Sequence, residues 1–220
     1  MSDSDRLARA INEGCVDDAQ SLLAADPALA KTLILWGEHR KNKTEPLHFV
    51  SDAVFNHGLN ESLSAELAEL LISFGADLNG QNPQEPPLIG AASLGAQAVG
   101  LTLVNHGANI HVAGLFGATP LHWAAYTGLS QLARALVEKG AEFELKCTEF
   151  ESTPLFWAVQ GYSTYGPRKK ADQVGVVQLL IDAGADVDAH NSEKVSALDR
   201  SKASHDEAME RLLLAHGARS

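Results

Sequence analysis

The residues of this chain that are best suited to covalent chemistry surround one cysteine. Cys147 is followed by Glu149 and Glu151, and His122 lies 25 residues earlier. A thiolate with a nearby base can act as a nucleophile, and a pair of carboxylates can serve as general acid and base. These four residues leave open a hydrolytic enzyme or a small-molecule-binding protein. The sequence contains no G-x-S-x-G, H-E-x-x-H, phosphate-binding glycine loop or dinucleotide fingerprint that would support this alternative.

Two short patterns recur along the chain and define a repeating unit. A Gly-Ala pair is followed by a polar and an apolar residue, and its glycines are separated by 32, 33, 44 and 33 residues. These glycines are Gly75, Gly107, Gly140, Gly184 and, in a truncated copy, Gly217. A second pattern of the form Thr-Pro-Leu-His begins at Glu45, Pro86, Thr119, Thr153 and Ser196. A period near 33 residues indicates a stack of two-helix units.

The best-preserved unit runs from Thr119 to Gly140 and shows how each copy is built. Pro120 suits the first turn of a helix, where the missing N–H costs nothing. Gly128 ends this first helix and Gly140 ends the second, because glycine readily adopts the left-handed conformation. One such unit cannot bury its apolar face alone, so neighbouring units must stack into a continuous core.

These patterns resemble the T-P-L-H-x-A signature and the closing G-A-D of the ankyrin repeat, and the resemblance covers nearly the whole chain. It implies an all-α ankyrin-repeat solenoid of about six helix-turn-helix repeats with connecting β-hairpin-like loops, in a short stand-alone array of the bacterial type. The expected single domain, 1–220, divides into repeats at approximately 5–44, 45–84, 85–117, 118–151, 152–194 and 195–220. Inserts at 54–62 and 162–171 are expected between the two helices of their repeats.

The repeat pattern also indicates roles for two histidines and for Glu151. His48 and His122 occupy the signature histidine position, where the resemblance implies a structural hydrogen bond to neighbouring backbone. Glu151 stands where the pattern has a turn glycine, so the geometry of that turn stays open. None of the nine histidines has the spacing of metal ligands, and the sequence predicts neither a metal nor a cofactor.

The charge of the chain indicates which class of partner it can bind, and its cysteines indicate its cellular compartment. The 17 basic and 28 acidic residues give a net charge of −11, which argues against nucleic acid as a partner. Cys15 and Cys147 are far apart, which suits a reducing compartment. The chain has no apolar run of the roughly 20 residues that a membrane helix needs, and its acidic start does not resemble a secretory signal. We therefore expect a cytoplasmic monomer with no membrane contact.

The resemblance further implies that the hairpin tips and the first helices of the repeats form a concave groove that binds another protein. Aromatic anchors with a polar rim are typical of protein-binding hot spots. We therefore expect a non-catalytic protein-binding module that acts as a regulator, a toxin-neutralising protein or a stress-related adaptor. Carried over position by position, the expected partner-binding residues are Asp52, Glu85, Phe116, Trp123, Tyr126, Glu149, Phe150, Trp157, Tyr162 and Tyr165.

Two questions about this groove stay open: the charge of its partner and the role of two tryptophans. No lysine or arginine occurs between Lys43 and Arg134, so a basic segment is the expected partner unless the acidic charge serves solubility alone. Trp123 and Trp157 stand at equivalent positions of consecutive repeats. They either form a cage for a cationic group with the neighbouring tyrosines and Phe150, or pack in the core between the first helices.

Overall fold

A computed structural model of the chain describes residues 1–38, 41–82, 85–164 and 167–219, without the side chains of 167–172. Its internal contacts divide the chain into two compact units, Met1–Asn109 and Ile110–Ser220.

The described residues of the first unit form three helix pairs and one short β-hairpin. α1 packs on α3 and α3 on α5, while α2 packs on α4 and α4 on α6, so first helices and second helices form two layers. Buried leucines such as Leu47, Leu67 and Leu103 fill the space between the layers. The elements are α1 (Asp3–Glu13), α2 (Val16–Ala25), a 3-10 turn (Pro27–Lys31), β1 (Ile34–Trp36), β2 (Asn42–Thr44), α3 (Pro46–His57), α4 (Glu61–Ser73), α5 (Pro87–Ser93) and α6 (Gln97–Asn105).

The second unit repeats the same arrangement with three further pairs. α7 packs on α9 and α9 on α11 in the layer of first helices, and α8 packs on α10 in the other layer. A β-carbon at Gly161 of α9 would collide with the carbonyl oxygen of Tyr126 on α7, so glycine permits the close approach of these two helices. The elements are a 3-10 turn (Leu115–Gly117), α7 (Pro120–Thr127), α8 (Ser130–Glu138), α9 (Pro154–Thr164), α10 (Pro167–Asp182), α11 (Ala197–Ala203) and α12 (Glu207–Ala215).

The prediction of an all-α fold built from six two-helix repeats is therefore confirmed. α3, α5, α7 and α9 each begin at a proline of the second pattern, as the absence of an N–H in the first turn allows. The second helix of the best-preserved repeat ends before Gly140, whose φ of 92° lies in the left-handed region that favours glycine.

Most residues of the two inserts extend helices. α3 has 12 residues and α7 has 8, so the first insert adds a helical turn before a connection at residues 58–60. α9 has 11 residues and α10 has 16, so most of the second insert also lengthens helices. Residues 165 and 166 of that insert lie outside the described residues. The added residues are helical because extending an existing helix gives each new residue a backbone hydrogen bond, which a loop does not provide.

Glu151 adopts the left-handed backbone conformation that glycine usually adopts at this turn. Gly117, Glu151 and Lys194 each lie three residues before a first helix and have φ of 67°, 47° and 60°. A left-handed conformation costs an L-residue about 1–2 kcal/mol, while glycine loses about 0.5–1 kcal/mol through backbone entropy. We therefore expect Glu151→Gly to raise the free energy of unfolding by about 0.5–1 kcal/mol, measured by urea denaturation followed by circular dichroism.

The opposite substitution at the equivalent turn provides the control. A β-carbon at Gly117 would lie 2.8 Å from the backbone nitrogen of Thr148, in addition to the strain of its positive φ. Gly117→Ala should therefore lower the free energy of unfolding by about 2 kcal/mol. A Glu151→Gly protein that is less stable than the parent would show that the Glu151 side chain makes a stabilising contact outweighing the strain.

Candidate functional site

The second unit contains a cleft of about 570 Å³ on the side of its first helices. Side chains from α7, α9 and α11 form its floor, and residues of the turns that precede these three helices form its edge. Its lining residues are Phe116, Trp123, Tyr126, Phe150, Ser152, Phe156, Trp157, Gln160, Asn191, Ser192, Glu193, Val195, Arg200 and Ala203.

Three aromatic side chains on α7 and α9 pack edge to face beneath the cleft. The ring centroids of Trp123 and Trp157 lie 5.0 Å apart with an angle of 82° between the planes. Tyr126 lies 6.2 Å from Trp123 and 5.9 Å from Trp157, at angles of 89° and 73°. Trp123 and Trp157 are both the fourth residue of their helices, so the packing of α7 on α9 brings them together. Edge-to-face geometry is the favourable arrangement of aromatic quadrupoles.

Two phenylalanines extend this cluster to the protein surface. The rings of Phe116 and Phe150 lie 5.4 Å apart, and 37% and 42% of these residues are exposed. Phe116 has a φ of 63°, a backbone conformation that is rare for a bulky side chain and costs on the order of 1–3 kcal/mol. The turn therefore holds an exposed aromatic ring in a strained position, next to a second exposed ring.

The two tryptophans differ in their environment, which the sequence left open. Trp157 is 7% exposed, belongs to a buried cluster with Ala118 and Cys147, and donates a hydrogen bond from Nε1 to Ser152 Oγ at 3.0 Å. Trp123 is half-buried, and its Nε1 has no hydrogen-bond partner within the described residues. Since the two rings touch, no group can lie between them. A bound molecule would contact this pair only from the cleft.

The far side of the cleft carries charged groups. Arg200 is half-buried on α11, and its side chain makes no hydrogen bond or ion pair with the described residues, although its Nε is shielded from solvent. Glu193 lies exposed in the turn before α11. An arginine without a partner beside an aromatic wall can donate hydrogen bonds to a carboxylate or carbonyl of a bound molecule.

The residues around Cys147 do not form a nucleophile with a neighbouring base. Cys147 is 1% exposed, and its Sγ lies 3.4 Å from Ser152 Oγ, whereas no described residue provides it with a hydrogen-bonded base. Glu149 and Glu151 are exposed on the turn before α9. A buried thiol behaves as a small apolar side chain. This geometry gives no support to the hydrolytic alternative around His122, Cys147 and Glu149.

His122 instead joins two consecutive repeats. Its Nδ1 accepts hydrogen bonds from the backbone N–H and the hydroxyl of Thr119, at 3.2 and 2.8 Å, and its Nε2 donates to the carbonyl oxygen of Ser152 at 3.2 Å. Burial lowers the pKa of His122 to about 4, although hydrogen bonds to the backbone of Ser152 and Leu145 raise it in part. The imidazole is therefore neutral and structural. The equivalent His48 Nδ1 lies 3.2 Å from the carbonyl oxygen of Glu85, also in the following repeat.

The predicted partner-binding residues do not all lie together. Phe116, Trp123, Tyr126, Phe150 and Trp157 line the one cleft. Glu149 is exposed beside Phe150, and Tyr162 is buried. Asp52 and Glu85 belong to the first unit, and Tyr165 lies outside the described residues.

Sequence reasoning missed the contribution of α11 and of the turn before it to this cleft. Arg200 is the fourth residue of α11, as Trp123 and Trp157 are of α7 and α9. Glu193 precedes α11 by four residues, as Phe116 and Phe150 precede their helices. The repeat period therefore contained the signal for both residues, but the expected partner-binding residues ended at Tyr165.

The described residues contain no group of three or more His, Cys, Asp or Glu placed to hold a metal ion. None of the helices in these residues is both long and apolar enough to cross a membrane.

Comparison with known proteins relates both the sequence and the fold to one family. A family model described as ankyrin repeats (3 copies) matches residues 51–147 and 101–191. The chain is 33% identical over 122 residues to Palmitoyltransferase Hip14 from Drosophila melanogaster, covering 53% of this chain and 17% of that protein. It is 27% identical over 180 residues to Probable E3 ubiquitin-protein ligase XBOS32 from Oryza sativa subsp. japonica, covering 80% of this chain and 32% of that protein.

A solved structure resembles the whole chain. An ankyrin repeat domain from Acinetobacter baumannii superposes with a TM-score of 0.70 at 24% identity, covering 97% of this chain and 98% of that one. At this identity the likeness concerns the fold alone. The chain spans less than a third of the length of the two curated relatives named above.

Proposed function

Since this chain belongs to the ankyrin repeat family, whose repeats are generally protein–protein interaction modules, we propose that it binds a segment of a partner protein in the aromatic cleft of the second unit. The proposed function is non-catalytic. The chain would act as a regulator, a toxin-neutralising protein or a stress-related adaptor by holding its partner.

One observation carries this proposal. Six aromatic side chains from three consecutive repeats line one cleft, and its two outer rings, Phe116 and Phe150, are exposed although one of them requires a strained backbone. Backbone strain is retained mainly where the surrounding structure or the function requires it. Exposed aromatic residues at the edge of a buried aromatic floor are the usual anchors of a protein interface.

The lining of the cleft suggests the chemistry of the partner segment. The aromatic floor suits an apolar or aromatic side chain, and Arg200 suits a carbonyl or carboxylate oxygen of the same segment. Glu149 and Glu193 add acidic charge at the edge, where a basic residue of the partner would be favoured. Asp52 and Glu85 remain proposed partner contacts of the first unit.

The compartment and the oligomeric state are part of the same proposal. Cys15 and Cys147 are both free thiols, which suits a reducing compartment such as the cytoplasm. We place the protein there as a monomer, since a net charge of −11 makes the chain repel copies of itself.

The combined variant Phe116→Asn and Phe150→Ala should weaken partner binding by at least about 100-fold, which corresponds to about 2.7 kcal/mol. The partner is first captured from a native lysate on the immobilised full chain, then purified and titrated by isothermal calorimetry. Asparagine tolerates the left-handed conformation at position 116, so the variant should remain folded. Circular dichroism checks this before binding is measured.

A matched control separates the cleft from exposed apolar surface in general. Phe55 on α3 of the first unit is 66% exposed and lies outside the cleft. Phe55→Ala should leave the affinity within about twofold of the parent. A captured partner that binds the cleft variant and the parent equally, or the absence of a stoichiometric partner, would contradict the proposed function.

A further inference from the structure

We propose that the first unit holds a separate site for an organic cation, the ammonium or guanidinium group of a lysine or arginine side chain, in a pocket beside Asp52. The site rests on the proposed function in one respect, since Asp52 is one of its proposed partner contacts, but it lies in the other unit and is tested separately from the cleft.

The pocket has a volume of about 240 Å³ and lies between α1, the end of β1 and α3. It adjoins a larger, more open recess of about 590 Å³ that shares four of its residues, so it is reached from the surface. Its volume is larger than a single metal ion and accommodates the end of a long side chain. The lining residues are Asn12, Trp36, Gly37, Phe49, Asp52, Asn56 and His57.

Asp52 is the strongest indication of a ligand in this pocket. It is 8% exposed, its Oδ2 is shielded from solvent, and its carboxyl group has no hydrogen bond or ion pair with the described residues. Burial raises the pKa of Asp52, the charge of Glu85 raises it further, and His48 lowers it in part. A buried carboxyl without a partner destabilises the free protein, and a cation in the pocket would supply the missing partner.

The other pocket residues favour an organic cation. Asn12 Oδ1 is a second buried acceptor without a hydrogen-bond partner in the described chain. The rings of Trp36 and Phe49 line the same pocket, and aromatic faces attract ammonium and guanidinium groups. A calcium ion would need six to eight oxygen ligands, whereas this pocket offers one carboxylate and two amides.

One further atom indicates that the cation belongs to a peptide. Trp36 Nε1 is a buried donor with no partner among the described residues, and an occupant that also brings an acceptor would satisfy it. A lysine or arginine residue brings both a cationic group and the carbonyl oxygens of its own backbone. Among the described residues, Lys41 and Lys43 of the neighbouring hairpin are exposed, and neither is bonded to Asp52 Oδ2. Arg40 lies outside the described residues. Arg9, which lines the adjoining recess, is paired with Glu13 at 2.8 Å.

The test is a titration of the full, ¹⁵N-labelled chain with N-acetyl-lysine-N-methylamide and its arginine counterpart. The Trp36 indole N–H and the Asn12 side-chain amide report on binding by nuclear magnetic resonance. We expect dissociation constants on the order of millimolar, since a single side chain makes few contacts. The neutral probe N-acetyl-norleucine-N-methylamide should bind at least about tenfold more weakly, because it has the same apolar stem without the charge.

Asp52→Asn should weaken binding of the lysine probe by at least about tenfold and raise the thermal midpoint of the free protein by about 2–4 °C. Both effects follow from removing an unpartnered buried charge, and the second shows that the variant is folded. Glu66→Gln removes an exposed charge of the same unit and should leave the probe affinity within about twofold.

Three outcomes would overturn the proposal. Equal binding of the lysine and norleucine probes would show that the pocket does not recognise charge. Unchanged binding or an unchanged midpoint in Asp52→Asn would show that Asp52 is satisfied by solvent alone. Putrescine binding as tightly as the lysine probe would assign the site to free amines. None of these results would affect the aromatic cleft, whose test uses other variants.

Discussion

Replacing Trp157 by alanine is expected to lower the free energy of unfolding by about 4 kcal/mol. Trp157 is buried, and its ring contacts Trp123, Tyr126, Phe150 and His122 at centroid distances of 5.0–6.4 Å. Truncating a buried tryptophan removes its apolar contacts and leaves a cavity, which together cost about 3–5 kcal/mol. Urea denaturation followed by circular dichroism measures the loss.

The position of Trp157 explains why the surrounding structure cannot compensate for the substitution. Its Nε1–H is bonded to Ser152 Oγ, which also lies 3.4 Å from Cys147 Sγ. The substitution therefore leaves a buried hydroxyl with one partner fewer, and an unsatisfied buried polar group costs about 1–3 kcal/mol. The floor of the cleft would also be lost, so partner binding should fall together with stability.

Phe150→Ala is the matched comparison for this prediction. Its ring contacts the same cluster from the surface, at 6.4 Å from Trp157. Because the side chain is partly exposed already, its removal should cost about 1 kcal/mol or less. Equal losses for Trp157→Ala and Phe150→Ala would show that Trp157 is not a core residue of the second unit.

Acidification from about pH 6.5 to pH 4 is expected to remove about 3 kcal/mol of stability through His122 alone. Burial lowers the pKa of His122 from 6.5 to about 4 in the folded protein, whereas the unfolded chain keeps the ordinary value. The unfolded state therefore binds a proton more readily than the folded state over this range. The contribution of His122 is complete above pH 6.5 and is lost as the pH falls towards 4.

The measurement is the free energy of unfolding against pH for the parent and for His122→Gln, which cannot titrate. The variant lacks the imidazole hydrogen bonds to Thr119 and Ser152, so it should be less stable at pH 7.5. The gap between the two proteins should narrow by about 3 kcal/mol on lowering the pH to 4. Parallel curves would show that His122 titrates normally in the folded state.

Protonation of Asp52 changes the stability in the opposite direction, so Asp52 provides a second control. The pKa of Asp52 is raised in the folded protein, so the folded state binds its proton more tightly than the unfolded state does. Acidification therefore adds stability at Asp52, whereas it removes stability at His122. Comparing the two proteins in the Asp52→Asn background isolates the contribution of His122.

The architecture could be predicted from the sequence because its signals are local and repeated. A proline in the first turn and a left-handed glycine after the last turn act within a few residues, and their period shows that the units stack. The clustering of five of the predicted aromatic residues followed from the same period, since equivalent positions of stacked repeats are neighbours.

Only the tertiary structure decided what each side chain does at its position. Trp123 and Trp157 have the same place in their repeats, yet one is half-buried and the other is buried, because burial depends on the residues of the adjacent repeat. The position in the repeat also did not determine that Arg200 lines the cleft without a hydrogen-bond partner. Nor did it determine that Glu151 adopts the turn conformation of a glycine. Periodicity determines which face of a helix a residue occupies, but whether a polar atom there finds a partner depends on contacts between residues distant in sequence.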